Sequence, residues 1–147
     1  MARAHSFVIE TDGASRGNPG LAGAGIVIKD DQGRTVDTIG KFLGVMTNNQ
    51  AEYHALIAGL EAIVTHKPET VTVRMDSELI VKQMRGQYRV KHPDLLPLYS
   101  RVVELVSVLP AVTFEHVVRE RNSRADRVAN VAIDSRGRRV SPEDDAG

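Results

Sequence analysis

The stretch Thr11-Asp12-Gly13-Ala14-Ser15-Arg16-Gly17-Asn18-Pro19-Gly20 decides how the rest of the chain is read. Before it lies His5-Ser6-Phe7-Val8-Ile9-Glu10, a short β-prone run, and after it Ala22-Gly23-Ala24-Gly25-Ile26-Val27-Ile28 reads as a second strand. Gly and Asn accept positive φ and Pro fixes φ near −65°, so the segment between the runs can turn the chain back on itself. Strand one is expected over His5 to Thr11 and strand two over Gly23 to Lys29, which places Asp12 where a strand ends. On its own Asp12-Gly13 is a turn dipeptide. Whether Asp12 is more than that depends on what else the chain brings to it.

Outward from this hairpin, Asp30-Asp31-Gln32-Gly33 is a polar turn, and strand three is expected from Arg34 to Leu43, completing an antiparallel meander. Thr47 with Gln50 three residues on has the form of a capping box. Ala55, Leu56, Gly59, Leu60, Ile63 and Val64 then repeat at helical spacing until Lys67-Pro68. Val71 to Met75 is a fourth strand. A strand that follows a helix leaving a meander implies a crossover, hence parallel pairing with strand one. Glu78 to Met84 reads as a short helix, and Arg85 to Pro93 as a basic irregular segment. A further helix starts at Asp94-Leu95-Leu96-Pro97, with Leu98, Val102, Leu105, Val106 and Leu109 apolar, and ends at Pro110. Val112 to Val118 is a fifth strand. Ser123 to Ile133 is a last helix with Val128, Ala129, Ala132 and Ile133 facing inward. The expected fold is an α/β domain over residues 1–134: a five-stranded mixed sheet, three strands antiparallel and two parallel, flanked by helices. Residues 135–147 read as a polar, disordered tail.

Composition limits the functions open to such a domain. The chain has 147 residues, one ordinary domain, and no Cys, which removes disulfides, thiol nucleophiles and zinc–thiolate sites. No apolar run approaches the ~18 residues of a membrane span, and no signal peptide is apparent, so a cytoplasmic protein without a membrane partner is expected. Lys plus Arg equals Asp plus Glu at 19 each, so bulk charge selects no partner. Local charge is more informative. Arg74, Lys82, Arg85, Arg89 and Lys91 cluster in one stretch, and Arg119, Arg121, Arg124, Arg127, Arg136, Arg138 and Arg139 in another. Such segments can grip a polyanion, or simply form solvated faces.

Four carboxylates carry the chemistry. Each has an ordinary explanation: a turn for Asp12, dipole complementation at a helix start for Glu52, an N-cap for Asp76, surface charge for Asp126. Together they mean more. The C-terminal ends of parallel strands lie on one side of a sheet, where ligands of open α/β folds gather. Asp12 and Asp76 end two neighbouring strands, the helix of Glu52 packs by the same sheet, and the helix of Asp126 follows the next strand. Carboxylates brought that close raise one another's pKa, and hard divalent cations relieve the repulsion, which suits Mg²⁺ or Mn²⁺ rather than zinc. Two such ions about 4 Å apart can clamp the attacking and leaving oxygens of a phosphodiester. Asn18, Asn48 and Asn49 add neutral donors for phosphate or sugar, and the first turn of the helix adds backbone N–H groups.

The chain here resembles the type 1 ribonuclease H (ribonuclease HI) family, in its short-loop form without the basic protrusion. Asp12-Gly-Ala-Ser-Arg-Gly-Asn-Pro-Gly20 is similar to that family's first-strand signature and Thr47-Asn-Asn-Gln-Ala-Glu52 to its helix signature. Met75-Asp76-Ser77 is similar to its fourth-strand acid, and Asn122-Ser-Arg-Ala-Asp126 to its last acid. Four motifs in order over about residues 5 to 134 are far more specific than one. The resemblance implies an RNA/DNA hybrid as partner, hydrolysis of its RNA strand to 3′-hydroxyl and 5′-phosphate ends, two Mg²⁺ ions with Mn²⁺ able to substitute, and a monomer. It implies that Asp12 bridges the ions, that Glu52 and Asp76 complete one site and Asp126 the other. Glu52, Asn18 and the backbone at Gly13 and Ala14 would contact 2′-hydroxyls, the group that distinguishes RNA from DNA. Thr47 and Asn48, with Asn49, would lie by the phosphate pocket for the DNA strand.

The chain departs from the pattern in three places. Many members carry a mobile His before the last acid; here Arg119 and Arg121 occupy a short loop, and Arg119 is a candidate for the assisting role, or else a phosphate contact or surface charge. His116 reads as a sheet residue. Tyr88 is expected to pack on the DNA strand where other members use Trp, with Arg85, Arg89, Lys91 and His92 as the remaining basic residues, and Glu78 stands where many members have a neutral amide. A same-fold nuclease acting on double-stranded RNA or as an exonuclease, and a module that binds hybrids without cutting them, are the alternatives.

Overall fold

The computed structural model describes residues 5–136. The sheet comprises β1 (Ser6–Gly17), β2 (Gly20–Lys29), β3 (Thr35–Met46), β4 (Thr70–Met75) and β5 (Val112–His116). Its order is β3-β2-β1-β4-β5. β1, β2 and β3 pair antiparallel, whereas β4 runs parallel to both β1 and β5, as the crossover argument predicts. The helices are α1 (Asn48–Val64), α2 (Glu78–Met84), α3 (Leu96–Ser107) and α4 (Ser123–Ser135), the last entered through a single 3-10 turn at Arg119–Asn122. Residues 137–147 of the expected polar tail lie outside the described residues.

The first strand is longer than the sequence suggests. β1 continues through Asp12-Gly13 to Gly17, and the reversal is confined to Asn18 and Pro19, flanked by the Gly17–Gly20 pair. Gly17 takes φ +121°, which only glycine adopts readily. Asp12-Gly13 is therefore strand, paired to Gly25 and Ala24 of β2. Its glycines lower β-propensity, but the fold needs them. A Cβ on Gly13 would lie 2.2 Å from the carbonyl carbon of Ala51 in α1, and one on Gly25 would lie 2.0 Å from the carbonyl oxygen of Ala125 in α4. β2 and β3 are longer too, starting at Gly20 and ending at Met46, while β5 stops at His116, which is exposed on the sheet.

The two faces of the sheet are packed differently. On one, Leu56, Leu60 and Ile63 of α1 and Val102 and Leu105 of α3 bury Ile9, Ile26, Ile28, Val73 and Met75 in one large apolar cluster. The Thr47–Gln50 capping box is formed in both directions, at 3.2 and 2.9 Å. On the other face, α4 buries a much smaller cluster of Val27, Ala125, Val128 and Ala132.

The register of β1 with β4 sets up the site. Their parallel ladder runs from the Ser6–Thr70 pair to the Glu10–Arg74 pair and stops there. Beyond it β4 leaves after Met75, while β1 runs on through Asp12 against β2 alone. The fork between them is closed on one side by Asn122, whose buried Nδ2 donates to the Thr11 carbonyl at 2.9 Å.

Candidate metal centre and nucleic-acid cleft

Asp12 projects into this fork. It is 5% exposed and faces the α4 side of the sheet, opposite Gly25. Glu52 reaches the same point because Gly13 lets the start of α1 touch the strand. The Gly13 N–H donates to Glu52 Oε1 at 2.8 Å, fixing a side chain only 6% exposed. No acid lies in the first turn of α1, so Glu52 does not serve as the dipole-complementing residue its position suggested. Asp76 begins the turn after β4, and its expected N-cap role falls to Ser77, whose Oγ accepts from the Ile80 N–H at 3.3 Å. Asp76 is thereby left to the fork. Asp12, Glu52 and Asp76 each place a carboxylate oxygen within 4.8 Å of the other two. Asp126, in the first turn of α4, stands outside that trio but close enough to Asp12 to raise its pKa.

The electrostatics show how unfavourable this assembly is without a cation. Burial pushes the Asp12 carboxyl up to about 10, helped by the neighbouring carboxyls of Glu52, Asp126 and Asp76. Burial likewise pushes Glu52 up to about 8, with Asp76 adding to the rise and the Gly13 N–H and the Arg119 charge opposing it. Two residues earlier on the same face of β1, Glu10 is nearly as buried, but Lys29 pairs with it at 3.2 Å. Among the described residues no Lys or Arg forms an ion pair with Asp12, Glu52 or Asp76. A buried, all-oxygen, acidic and unneutralised donor set fits a hard divalent cation and does not fit a structural ion pair.

The trio opens into a cleft of about 460 Å³, lined also by Gly13, Ala14, Asn48, Asn49, Arg119 and Asp126. Thus Arg119 reaches the site from its short loop, near enough for its charge to be felt by Glu52. Asn18 and Thr47 lie instead in an adjoining pocket of about 340 Å³, which shares Asn48 and Asn49 with the first. There the Asn18 Oδ1 accepts from the Asn48 N–H at 3.0 Å. Size alone does not select the site: a concavity of about 450 Å³ at the far end of the sheet holds Asp30, but that carboxylate is spent on its own turn and on Arg34.

Tyr88 and Arg89 line neither pocket. Residues 85–95 form no helix or strand, and Tyr88 is exposed with the Lys82 ammonium 5.0 Å from its ring centre. The segment meets the second pocket through His92, Asp94 and Leu95 instead. Arg85, counted among the basic residues, donates from Nε and Nη2 to the Phe114 carbonyl at 3.1 and 2.6 Å and so ties α2 to β5. Four cleft residues carry no assignment from sequence: Ser15, Arg16, Ser77 and Asn130. For Asn130 a signal was present, since it lies one helical turn after Asp126.

A family model described as reverse transcriptase-like matches residues 10–132. The chain is 46% identical over 139 residues to a bifunctional protein of Mycobacterium tuberculosis, covering 94% of this chain and 38% of that one. It is 42% identical to ribonuclease HI of Halobacterium salinarum, covering 90% of this chain and 65% of the relative. Among solved structures, LC11-RNase H1 in complex with an RNA/DNA hybrid superposes with a TM-score of 0.85 at 44% identity, covering 88% of this chain and 98% of that one. This chain belongs to the type 1 ribonuclease H family. As a ribonuclease H chain it has the expected mixed five-stranded sheet and helices, and it spans about two-fifths of the mycobacterial relative and two-thirds of the halobacterial one. Among its described residues no helix is long and apolar enough to cross a membrane.

Proposed function

We propose that this chain is a cytoplasmic endoribonuclease that hydrolyses the RNA strand of RNA/DNA hybrids, leaving 3′-hydroxyl and 5′-phosphate ends. The observation that carries the reading is the convergence of Asp12, Glu52 and Asp76 from β1, α1 and the end of β4, with Asp126 of α4 beside Asp12. Asp12, Glu52 and Asp76 would hold one Mg²⁺ ion and Asp12 with Asp126 a second, with Mn²⁺ able to replace them. Bound there, the ions supply charge neutralisation and Lewis-acid polarisation for in-line displacement at phosphorus.

The chain's own groups do the rest. The Gly13 N–H holds the Glu52 carboxylate toward the cleft. Backbone at Gly13 and Ala14, with Glu52, lines the wall that an RNA 2′-hydroxyl would meet. Thr47, Asn18, Asn48 and Asn49 form the neighbouring polar pocket, which suits a phosphate of the DNA strand. The Arg119 guanidinium adds positive charge at the cleft where phosphate charge accumulates. Tyr88 and Arg89, exposed on the α2–α3 segment, would touch the duplex outside the cleft. All four acids come from one chain, which supports a monomer.

The test is a cleavage ladder on an end-labelled hybrid, beside duplex RNA and single strands, with Mg²⁺ or Mn²⁺. Internal cuts confined to the hybrid's RNA strand, abolished in Asp12→Asn, are expected. Equal cutting of duplex RNA, digestion from one end only, or tight hybrid binding without turnover would overturn the reading.

A further inference from the structure

Asp126, half-buried like Asp76, has its carboxylate held by a side chain of its own helix, Asn130. β1 alternates, so Asp12, Ala14 and Arg16 all face α4. On α4, positions four apart share a face, so Asp126, Asn130 and Asp134 form one row. Four residues of strand cover about 13 Å and eight residues of helix about 12 Å, so the two rows run alongside and their ends meet. The contacts follow. Asn130 Nδ2 donates to the Asp126 carbonyl oxygen at 3.0 Å and to its carboxylate Oδ1 at 3.3 Å. Arg16 Nη2 donates to Asn130 Oδ1 at 3.2 Å and to its carbonyl oxygen at 3.3 Å, while Nη1 donates to Asp134 Oδ1 at 2.7 Å. Because Arg16 can only donate, the Asn130 amide is locked with its oxygen toward Arg16 and its NH₂ toward Asp126. Arg16 and Asn130 both line the cleft.

We propose that Asn130 is a positioning residue: anchored by Arg16 and, behind it, Asp134, it aims the Asp126 carboxylate at Asp12 and so sets the affinity of the second cation position. The inference rests on the metal-dependent reading above and adds to it the residues that hold the fourth acid. Partners of this kind typically change metal affinity by about tenfold or more when removed.

The test is calorimetric titration of the free protein with Mn²⁺, alongside the Mg²⁺ dependence of hybrid cleavage. Asn130→Leu keeps the branched side-chain outline and does not lower helix propensity, but donates nothing. About a tenfold weakening of one Mn²⁺ binding event is expected, with the other unchanged, the thermal midpoint held, and cleavage recovering at high Mg²⁺. Asp134→Asn, at the exposed outer end of the row, should give a smaller shift in the same event and keeps the test decisive if Asn130→Leu folds poorly. Wild-type Mn²⁺ titrations for the folded variants would overturn the proposal. Asp126→Asn is the reference: if it too titrates like wild type, the fault lies in assigning Asp126 to a cation, and the functional reading fails there rather than at Asn130.

Discussion

The two halves of the candidate metal centre stand on opposite faces of one sheet and are held by different forces. Glu52 belongs to the α1 face, where a large apolar cluster seats the helix and a backbone N–H fixes the carboxylate. Asp126 belongs to the α4 face, where the apolar cluster is small. That helix is seated by backbone lying directly on Gly23 and Gly25, and its acid is fixed by side chains. Both helices lie close on strand glycines, but the α1 half adds a large apolar cluster and a backbone donor, whereas the α4 half adds only a small cluster and a polar side-chain network. The α4 half is therefore expected to be the more easily disturbed.

The largest disturbance removes the residue common to both halves. Asp12→Asn should lower hybrid cleavage by ~10³-fold or more, since several kcal/mol of transition-state stabilisation depend on the ions it would hold. The same variant should raise thermal stability without metal, because a buried acid among acids is replaced by a neutral group. Single-turnover kinetics and a thermal melt measure the two effects.

Proton linkage acts on the same buried acids. Asp12 and Glu52 are raised to about 10 and about 8 from 3.8 and 4.5, so the folded metal-free protein binds more protons than the unfolded chain between those limits. Stability then falls as pH rises. It is greatest below about pH 4 as far as these two groups are concerned, and declines through pH 8 toward 10. Melting curves in EDTA between pH 5 and 8 should shift downward with pH, and saturating Mg²⁺ should flatten the trend.

A pair of glycine substitutions separates the faces. In Gly25→Ala the new Cβ meets backbone of α4 at 2.0 Å, so the helix must move, at a cost of about 3 kcal/mol in urea denaturation. In Gly59→Ala, on the α1 face, the nearest atoms are the side-chain Cγ2 groups of Ile9 and Thr11 at 3.1 Å, which can yield. The gain in helix propensity offsets the crowding, and the net change should stay within about 1 kcal/mol. Smallest is Thr47→Ala, which removes the capping box and should cost about 1 kcal/mol while leaving the acids in place.

Much of this was legible in the sequence. The order of elements, the parallel crossover, the capping box and the inward positions of α1 and α4 follow from period and punctuation, and the four acids from their motifs. The extent of β1 was not legible. Asp12-Gly13 carries the local chemistry of a turn, and only the approach of α1 and α4 from either side explains glycine in the middle of a strand. The Arg16–Asn130–Asp134 chain was invisible for a related reason: its members are 114 and 118 residues from Arg16, joined by how α4 lies along β1. Local propensity contains no such information. Arg85 counts by sequence only as one member of a basic stretch, and its tie to a backbone carbonyl of β5 is equally invisible to local propensity.

The ladder between β1 and β4 ends two residues short of Asp12 and two short of Asp76. Those two acids therefore sit like the tines of a fork whose shank is a run of parallel backbone hydrogen bonds. Their separation is gauged by strand register instead of by a loop that must close. A cation arriving there would meet a socket whose width was settled during folding, with little ordering entropy left to be lost on capture.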